Sequence, residues 1–476
     1  MAEKKKTRIA LVNPPPPPGA FVHYQSPLIG LAYMAALLDG EGYEVTVIDC
    51  PPLKLTYEDL KRALVLFKPD VVGITSVTVT FSSAAQVARV VKEACPEALT
   101  VFGGPHVSVL DTQVLGENPQ VDVVVRGEGE QTMLELIKLV TESKLEHLSC
   151  VAGVTYRKNG QIVRAPNRSF IQNLDGLPFP AYKFFPLERY RVFGNLILPV
   201  ISSRGCPFRC AFCLASRMAG SVVRVRSPKN VVDELEWLKN EFAPDAFTFH
   251  DETFTYDKNR VFEICEEKRR RKIDVPWDCS TRVDQISPEL LHSMKAANCQ
   301  LISFGVESGS QRILNAMKKG TTVEQNERAI RLVKDAGISV TISVIVGYPG
   351  ETMDTLKQTL DFIQRTEPDD VHMSLVTPYP GIELTDMMKE TGWKISEDWS
   401  QCDMQTSVFS NPSLPVDLRE VRRQFYNKFY SVSYILRQSF RGTLYGRILA
   451  RSAANQLLWR SRLPSSLISI FRKLAS

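Results

Sequence analysis

The sequence lacks any uninterrupted apolar run of about 18 or more residues, so it predicts no membrane-spanning helix. The start, MAEKKKTRIALVN, also lacks the apolar segment and cleavage site of a signal peptide. Neither G-x-G-x-x-G after the first strand nor G-x-x-x-x-G-K-[ST] occurs, which makes NAD, FAD and ATP poor candidate ligands. Together these absences favour a cytoplasmic protein that does not bind the common phosphate-containing cofactors.

Acidic residues are missing from residues 421–476, which hold eleven Lys or Arg. The net charge of +5 belongs to this basic region, because the rest of the chain has 47 basic and 53 acidic residues. Aromatic and aliphatic residues interleave with the arginines at helical spacing, so we expect a helical cap on the preceding domain with its arginines in solvent. The alternative is peripheral contact with an anionic membrane surface. Nucleic acid is not expected, since no recognition fold accompanies the charge.

With 476 residues the chain predicts two or three domains. Between about residues 7 and 140, β-branched runs alternate with amphipathic helices, which predicts a Rossmann-like parallel sheet with helices on both faces. A second series contains six βα units, too few for a complete eight-unit barrel, and fits a partial barrel. Asn159-Gly160 predicts a hairpin turn between the two series. The predicted organisation is a Rossmann-like domain (1–145), a linker with a hairpin (146–195), a partial (β/α)6 barrel (196–400) and a basic helical region (401–476).

A fourth cysteine is missing near SSRGCPFRCAFC, where Cys206, Cys210 and Cys213 follow the first strand of the second series. Structural zinc closes its shell with four ligands, so this set fits it poorly, although a catalytic zinc and chance clustering of thiols stay open. We favour the interpretation that the three thiolates hold a [4Fe–4S] cluster, which leaves one iron free for another ligand. The other seven cysteines are scattered singly and are expected to be small buried hydrophobes.

CPFRCAFC, with an aromatic residue before the last cysteine, resembles the signature of the radical S-adenosylmethionine (SAM) enzymes, and its place after the first barrel strand agrees. The resemblance extends over roughly residues 195–385. It implies that the open iron binds SAM and that an electron from the cluster cleaves SAM to a 5′-deoxyadenosyl radical. It also implies that SAM is contacted by strand-end residues, namely Phe212, His250, Asp251, Glu252, Ser280, Arg282, Glu307, Ser308, Gly347 and Tyr379. Without the resemblance, Asp251 and Glu252 could cap a helix and Arg282 could pair with Asp284.

Four loops follow the strands of the first series: NPPPPP, ITSVTVTFSSA, FGGPHVS and VRGEGEQT. Ligands of open α/β sheets bind at that edge. The loops, with residues 7–140 around them, resemble the cobalamin-binding domain that precedes the barrel in one large radical SAM subclass. The implied cobalamin contacts are Asn13, Pro14, Ser76, Thr78, Gly103, Gly104, Pro105, His106, Gly127 and Glu128.

The D-x-H-x-x-G loop of many cobalamin proteins, whose histidine ligates cobalt, is absent. His23 and His106 have no aspartate two residues before them, and the only Asp-x-His, Asp370-Val371-His372, lies in the second series. We therefore expect a cobalamin without a protein histidine on its lower face. His106 is expected to shape its loop or to touch the corrin edge.

The resemblance implies a cobalamin-dependent radical SAM enzyme, with methyl transfer to an unactivated carbon as the leading reaction. A non-methylating enzyme of the anaerobic porphyrin cyclase-like group, or one that forms carbon–carbon bonds in lipids, is the alternative. A corrinoid or iron–sulfur sensor without turnover is the hypothesis from another class. The substrate, a small molecule or a lipid, is expected between the two domains near residues 20–30, residues 181–195 and the basic region. A reductant such as flavodoxin or ferredoxin is expected as partner.

Overall fold

The computed structural model describes residues 6–19, 26–409, 414 and 416–460. Residues 20–25, which include His23, and residues 461–476 of the basic region lie outside the described residues. The strands of the first sheet are β1 (Arg8–Asn13), β2 (Glu44–Asp49), β3 (Val71–Thr75), β4 (Leu99–Gly103), β5 (Val123–Val125), β6 (Val154–Lys158) and β7 (Gln161–Arg164). They lie in the order β2-β1-β3-β4-β5-β6-β7, and β1 to β5 are parallel.

Both faces of the first sheet are covered. Ala10 and Val12 pack into one hydrophobic cluster, and the alternate residues Ile9 and Leu11 pack into another on the opposite face. The Rossmann-like prediction is confirmed. The helices of this part are α1 (Ile29–Gly40), α2 (Cys50–Leu53), α3 (Tyr57–Phe67), α4 (Phe81–Ala94), α5 (Pro105–Val109), α6 (Asp111–Glu117) and α7 (Glu130–Thr141).

The predicted hairpin turns at Asn159-Gly160, where both residues have positive φ as a type I′ turn requires. It does not stand apart as a linker. β6 pairs antiparallel with β5 and extends the first sheet, because an edge strand offers unpaired backbone groups to the chain that follows it.

The second sheet and its flanking pair of short strands contain β8 (Arg191–Val192), β9 (Asn195–Val200), β10 (Ser203–Arg204), β11 (Arg224–Val225), β12 (Ala246–Phe249), β13 (Trp277–Thr281), β14 (Cys299–Glu307), β15 (Ser339–Val346) and β16 (Asp370–Leu375). The sheet order is β16-β15-β14-β13-β12-β9-β8, with six parallel strands and β8 antiparallel at the edge. The predicted partial barrel of six units is confirmed.

Helices cover the outer face of this barrel, and several begin at side-chain caps, as at Ser227, Thr322 and Thr352. The large core lies between strands and helices and includes Phe247, Trp277 and Phe304. The helices are α8 (Ala215–Met218), α9 (Pro228–Phe242), α10 (Lys258–Arg270), α11 (Pro288–Ala296), α12 (Gln311–Ala316), α13 (Val323–Asp335), α14 (Met353–Thr366), α15 (Glu383–Glu390), α16 (Leu418–Phe429), α17 (Val432–Ser439) and α18 (Leu444–Arg460).

The basic region forms helices α16 to α18 against the barrel. Tyr445 and Leu444 pack with Ala246 and Leu301 of the strands, and the Tyr445 hydroxyl donates to the buried carboxylate of Asp278. The expected helical cap is therefore present in the described part of this region. In the stretch that the structure describes, no helix is long and apolar enough to span a membrane.

The arginines of this cap differ from expectation, because several bind the barrel instead of solvent. Arg441 pairs with Asp369 at 2.6 Å, and Arg422 donates to the carbonyl of Met373 at 2.9 Å. The reason is that β16 is the edge strand of the sheet, so that the Met373 carbonyl and the carboxylate of Asp369 just before this strand need donors, and the arginines supply them.

Candidate functional site

The three clustered cysteines lie on one loop between β10 and β11, which we call the cysteine loop (residues 205–223). The loop leaves β10 at Gly205, whose φ of 106° and close approach to the Val222 carbonyl exclude a side chain, since a Cβ would lie 2.3 Å from that oxygen. Cys206 and Cys210 are partly exposed and Cys213 is exposed. Although Cys213 is exposed as a residue, its thiol is enclosed by protein atoms, and this burial raises the pKa of Cys213 as it raises that of Cys210. The charge of Cys206 raises both pKa values further, so the thiols are near neighbours.

Asp251 fixes the start of this loop. Its carboxylate accepts hydrogen bonds from the Ser202 N–H at 2.7 Å and from the hydroxyls of Ser202 and Ser203 at 2.6 and 2.5 Å. Arg260 lies 3.7 Å from the same carboxylate, and both groups are buried. Asp251 is therefore engaged by the protein, and a direct contact from it to SAM stays a prediction.

His250, Glu252 and Ser280 differ from Asp251, because they leave polar groups open beside the cysteine loop. The side chains of His250 and Ser280 are exposed at the ends of adjacent strands. Glu252 accepts from the Gly205 N–H at 3.2 Å, and burial raises its pKa. The His250 ring has an exposed surface but also lies among protein atoms, and this partial desolvation lowers its pKa. These three side chains can meet the polar groups of a ligand bound next to the thiols.

Two buried ion pairs flank Cys210. Arg282 pairs with Asp284 at 2.9 Å and its guanidinium lies 3.6 Å from the centre of the Phe208 ring. Lys319 pairs with Glu307 at 2.9 Å. Burial raises the pKa of Cys210, and the charges of Lys319 and Arg282 oppose that rise. The pKa of Cys210 stays raised on balance, and the two cations limit that rise; the same positive charges would stabilise an anionic cluster bound to the thiol.

Lys319 was not among the residues predicted from the sequence. It lies just after α12, in MKKG, outside every strand-end segment that carried the resemblance. Its ammonium lies 5.9 Å from the Phe212 ring centre, beside the last cysteine. The one signal that could have pointed to Lys319 is its pairing with the predicted residue Glu307, twelve residues earlier.

The remaining predicted SAM residues are held mainly by the protein. The buried Ser308 hydroxyl lies 3.1 Å from that of Thr359 and accepts from the Ser310 N–H at 3.1 Å. The Gly347 N–H donates to the Glu351 carboxylate at 2.5 Å. The Tyr379 hydroxyl donates to the Cys402 carbonyl at 3.4 Å, and its ring packs in one cluster with Phe212.

The predicted cobalamin residues come together at the carboxyl ends of β1, β3, β4 and β5, which we call the first-sheet edge. Gly104 approaches the Ser76 carbonyl so closely that a Cβ would lie 2.5 Å from that oxygen. Asn13 is buried and donates to Asp49 at 2.8 Å, and the Gly127 N–H donates to the Ser108 hydroxyl at 3.0 Å. The same edge contains Pro14, Gly103 and Pro105.

His106 lies inside this edge with only 2% of its surface exposed. Its ring centre is 4.4 Å from that of Phe81 and 5.4 Å from that of Trp399, and its Nδ1 lies 3.2 Å from the Thr78 hydroxyl. Burial lowers its pKa to about 4, so the imidazole is neutral at pH 7. This packing agrees with a loop-shaping residue. Trp399, from the segment after the barrel, was not predicted, because nothing local marks it.

Glu128 joins the two halves of the molecule. Its carboxylate accepts from Arg204 at 3.2 Å and from Arg224 at 2.9 Å, both in the strands that frame the cysteine loop. Burial would raise the pKa of Glu128, but the hydrogen bonds from Arg224 and Ile171 and the charge of Arg204 hold it below its usual value. A contact from this carboxylate to cobalamin stays a prediction.

Asp370 and His372 lie on β16, far from the first-sheet edge. His372 Nε2 is 3.2 Å from the Asp370 carboxylate, which raises the pKa of His372, and the Tyr430 hydroxyl donates to the same carboxylate. The chain's only Asp-x-His therefore belongs to the barrel, as its sequence position indicated.

The residues present fit the groups that the sequence suggested. Three neighbouring thiols with cationic neighbours suit an iron–sulfur cluster with one open iron, and exposed polar strand ends beside them suit SAM. The first-sheet edge offers close backbone approach and neutral polar groups. Among the described residues, no three His, Cys, Asp or Glu side chains are close enough to share a single metal ion.

Two family models match the chain. Residues 200–363 match the radical SAM superfamily, and residues 19–137 match the B12 binding domain. An uncharacterized methyltransferase of Pyrococcus horikoshii is 32% identical over 92% of this chain and 98% of its own length. The anaerobic magnesium-protoporphyrin IX monomethyl ester cyclase of Rubrivivax gelatinosus is 34% identical over 79% of this chain and 68% of its own length.

A solved structure shares the fold over nearly the whole chain. It is a radical SAM methyltransferase from Kitasatospora setae with cobalamin and a [4Fe–4S] cluster bound, at a TM-score of 0.72. The alignment covers 95% of this chain and 100% of that one, at 17% sequence identity.

Proposed function

Because the chain belongs to the radical SAM superfamily, in the group whose members carry a B12 binding domain, we propose that it methylates an unactivated carbon of a small-molecule or lipid substrate. The observation that supports methylation is the match over 98% of the length of a methyltransferase from Pyrococcus horikoshii. The cyclase relative is matched over 68% of its length, so about a third of it has no counterpart here.

The cofactors are a [4Fe–4S] cluster, SAM and cobalamin. When bound, the cluster supplies the electron that cleaves SAM to a 5′-deoxyadenosyl radical, and cobalamin carries the methyl group. Cys206, Cys210 and Cys213 would hold three irons of the cluster and leave the fourth for SAM.

The open polar groups beside the cysteine loop would orient SAM. His250, Glu252 and Ser280 can accept from or donate to its amino and carboxylate groups, while Asp251 acts indirectly by fixing the loop. Arg282 and Lys319 supply positive charge next to Cys210 from within their ion pairs. These residues position the reacting groups and exclude water.

Cobalamin would lie at the first-sheet edge without a histidine ligand on its lower face. The proposal is supported by the packing of His106, whose ring is enclosed by Phe81 and Trp399 and is 2% exposed. The neutral lining formed by Ser76, Thr78 and Asn13 suits the uncharged face of a corrin.

Deuteromethyl-SAM tests the reaction. Reconstituted, reduced enzyme is expected to release 5′-deoxyadenosine and to place three deuteriums on its product, detected by mass spectrometry. Product formed without the label would instead support the second candidate, a non-methylating cyclase-like reaction, which the cyclase relative favours. Substrate can be sought by comparing lipids and pigments of a deletion strain with those of its parent.

The wider setting of the enzyme is also part of the proposal: a cytoplasmic protein reduced by flavodoxin or ferredoxin, with peripheral membrane contact through the basic region. Val432 and Leu436 of α17 and Phe440, the residue that follows this helix, recur at four-residue spacing and are exposed, which supports such a contact. Sedimentation with anionic vesicles tests it: Phe440→Ser is expected to weaken binding, and equal, negligible binding by both proteins would exclude the contact.

A further inference from the structure

The cysteine loop has a neck in which two arginines stand directly opposite each other. β10 pairs antiparallel with β11, so that Arg204 faces Arg224, and all three clustered cysteines lie in the chain between these two strands. Both guanidinium side chains are nearly buried, at 11% and 5% exposure. Like charges directly opposite on paired strands destabilise the pairing, and burial strengthens the repulsion. The neck therefore depends on carboxylates that neutralise it.

Those carboxylates come from the other domain. One oxygen of Glu128 accepts from Arg204 at 3.2 Å and the other accepts from Arg224 at 2.9 Å, so one carboxylate bridges both strands. Glu130 adds a second hydrogen bond from Arg204 at 2.7 Å. Glu128 and Glu130 are 9% and 8% exposed, so solvent does not replace them.

The same two glutamates follow directly after the first-sheet edge. Gly127, next to Glu128, donates to Ser108 in the segment after β4, so the loop that supplies the carboxylates is tied to the edge. On the other side, Arg204 is followed at once by Gly205 and Cys206. The ion pairs of Glu128 and Glu130 with Arg204 and Arg224, which we call the junction, therefore connect the first-sheet edge to the chain that carries the first thiol.

We propose that Glu128 and Glu130 couple the two cofactor sites, so that cobalamin and the iron–sulfur cluster each bind more tightly when the other is present. Cobalamin at the first-sheet edge fixes the loop that carries the glutamates, and the cluster fixes the neck that carries the arginines. When one cofactor is bound, its half of the junction is already ordered, so binding of the second cofactor has less of the junction left to order. By linkage the effect is the same in both directions. The proposal concerns cofactor binding alone and holds whichever reaction the enzyme catalyses.

The test is the dissociation constant of hydroxocobalamin for the full-length protein, measured anaerobically by absorbance with and without a reconstituted cluster. The cluster-loaded protein is expected to bind at least about fivefold more tightly. In Glu130→Gln that ratio is expected to fall, because Arg204 then keeps only its longer hydrogen bond, to Glu128. Glu135→Gln is the matched control, since it removes a half-exposed partner of Arg168 from the same helix without touching the neck, and should keep the wild-type ratio.

Two outcomes would overturn the proposal: a ratio of one in the wild-type protein, or a wild-type ratio in Glu130→Gln. Glu130→Gln leaves Glu128 to bridge the strands, so the variant is expected to fold. Arg204→Lys provides an independent check, because lysine keeps the charge but cannot reach both glutamates in a fork. It should also lower the ratio, and an unchanged ratio in Arg204→Lys would count against the coupling.

Discussion

The two proposed cofactor sites differ in the kind of side chain that is buried around them. Around the cysteine loop the buried side chains are charged: Asp251 with Arg260, Arg282 with Asp284, Glu307 with Lys319. At the first-sheet edge, His106 packs between aromatic rings as a neutral base and hydrogen bonds to Thr78. Buried charges suit the charged cluster and the sulfonium that we propose for the barrel, whereas packing suits the large corrin ring that we propose for the first-sheet edge.

The largest effect is expected when one thiol of the cysteine loop is removed. Cys210→Ala is expected to abolish 5′-deoxyadenosine formation after anaerobic reconstitution and to leave iron well below the roughly four atoms per chain of a full cluster. Cys150→Ala, an exposed single cysteine, should keep both. Full iron content in Cys210→Ala would contradict the assignment.

The next largest effect is expected from Asp251→Asn, which tests how much the buried charge of Asp251 contributes to stability. Arg260 loses its buried counter-charge and the hydrogen bonds of Ser202 and Ser203 are weakened, so we expect a loss of about 3–5 kcal/mol in the free energy of unfolding. Denaturant titration of the full chain measures it. Asp233, which is partly exposed and pairs with Lys229 and Arg271, is the control: Asp233→Asn should cost about 1 kcal/mol or less.

The two halves should also respond oppositely to pH. Burial raises the pKa of Asp278 to about 6, above the roughly 4 of an unfolded aspartate. Its contribution to stability is therefore full below about pH 4 and is lost as pH rises through about 6, by about 3 kcal/mol. Asp278→Asn should flatten this fall in the free energy of unfolding; an unchanged pH profile would show that folding does not raise the pKa of Asp278.

His106 should give the mirror image. Its folded pKa of about 4 lies below the roughly 6.5 of an unfolded histidine, so its contribution is full above about pH 6.5 and is lost as pH falls through about 4, by about 3 kcal/mol. His106→Phe is expected to remove this acid loss. The measurement is the same titration, and a protein whose acid limb does not change on substitution would rule out a buried neutral ring.

The smallest expected effect is spectroscopic. Electron paramagnetic resonance of the Co(II) form should show no nitrogen splitting from a protein imidazole, and His106→Phe should leave the spectrum unchanged. Splitting that disappears in His106→Phe would make His106 a ligand and would erase the contrast between the two sites.

The sequence predicted those parts of the molecule in which the signal is local. Three cysteines within eight residues, the turn at Asn159-Gly160 and six strand–helix repeats are each read within a short window. His250 and Ser280 were named through the resemblance to radical SAM enzymes, and the structure places both at the ends of adjacent parallel strands, while their contact with SAM stays a prediction.

The parts that sequence reasoning missed depend on contacts between distant segments. Trp399 reaches His106 across nearly three hundred residues, and Arg224 meets Glu128 across about one hundred. The hydrogen bonds from Ser202 and Ser203 to Asp251 were not predicted either, and its contact with SAM stays a prediction. Neither residue type nor spacing distinguishes a carboxylate that binds a ligand from one that secures a loop.

The tyrosines of α16 to α18 also carry a consequence for biosynthesis. The Tyr445 hydroxyl donates a hydrogen bond to Asp278, 167 residues earlier in the chain. The Tyr430 hydroxyl donates to Asp370, sixty residues earlier. While the ribosome is still making these helices, each of the two carboxylates lacks its tyrosine and has only its partner within the barrel, Thr248 for Asp278 and His372 for Asp370. The barrel therefore reaches its final form only after residue 445 has emerged, and iron delivered earlier meets cysteines on an unfinished scaffold.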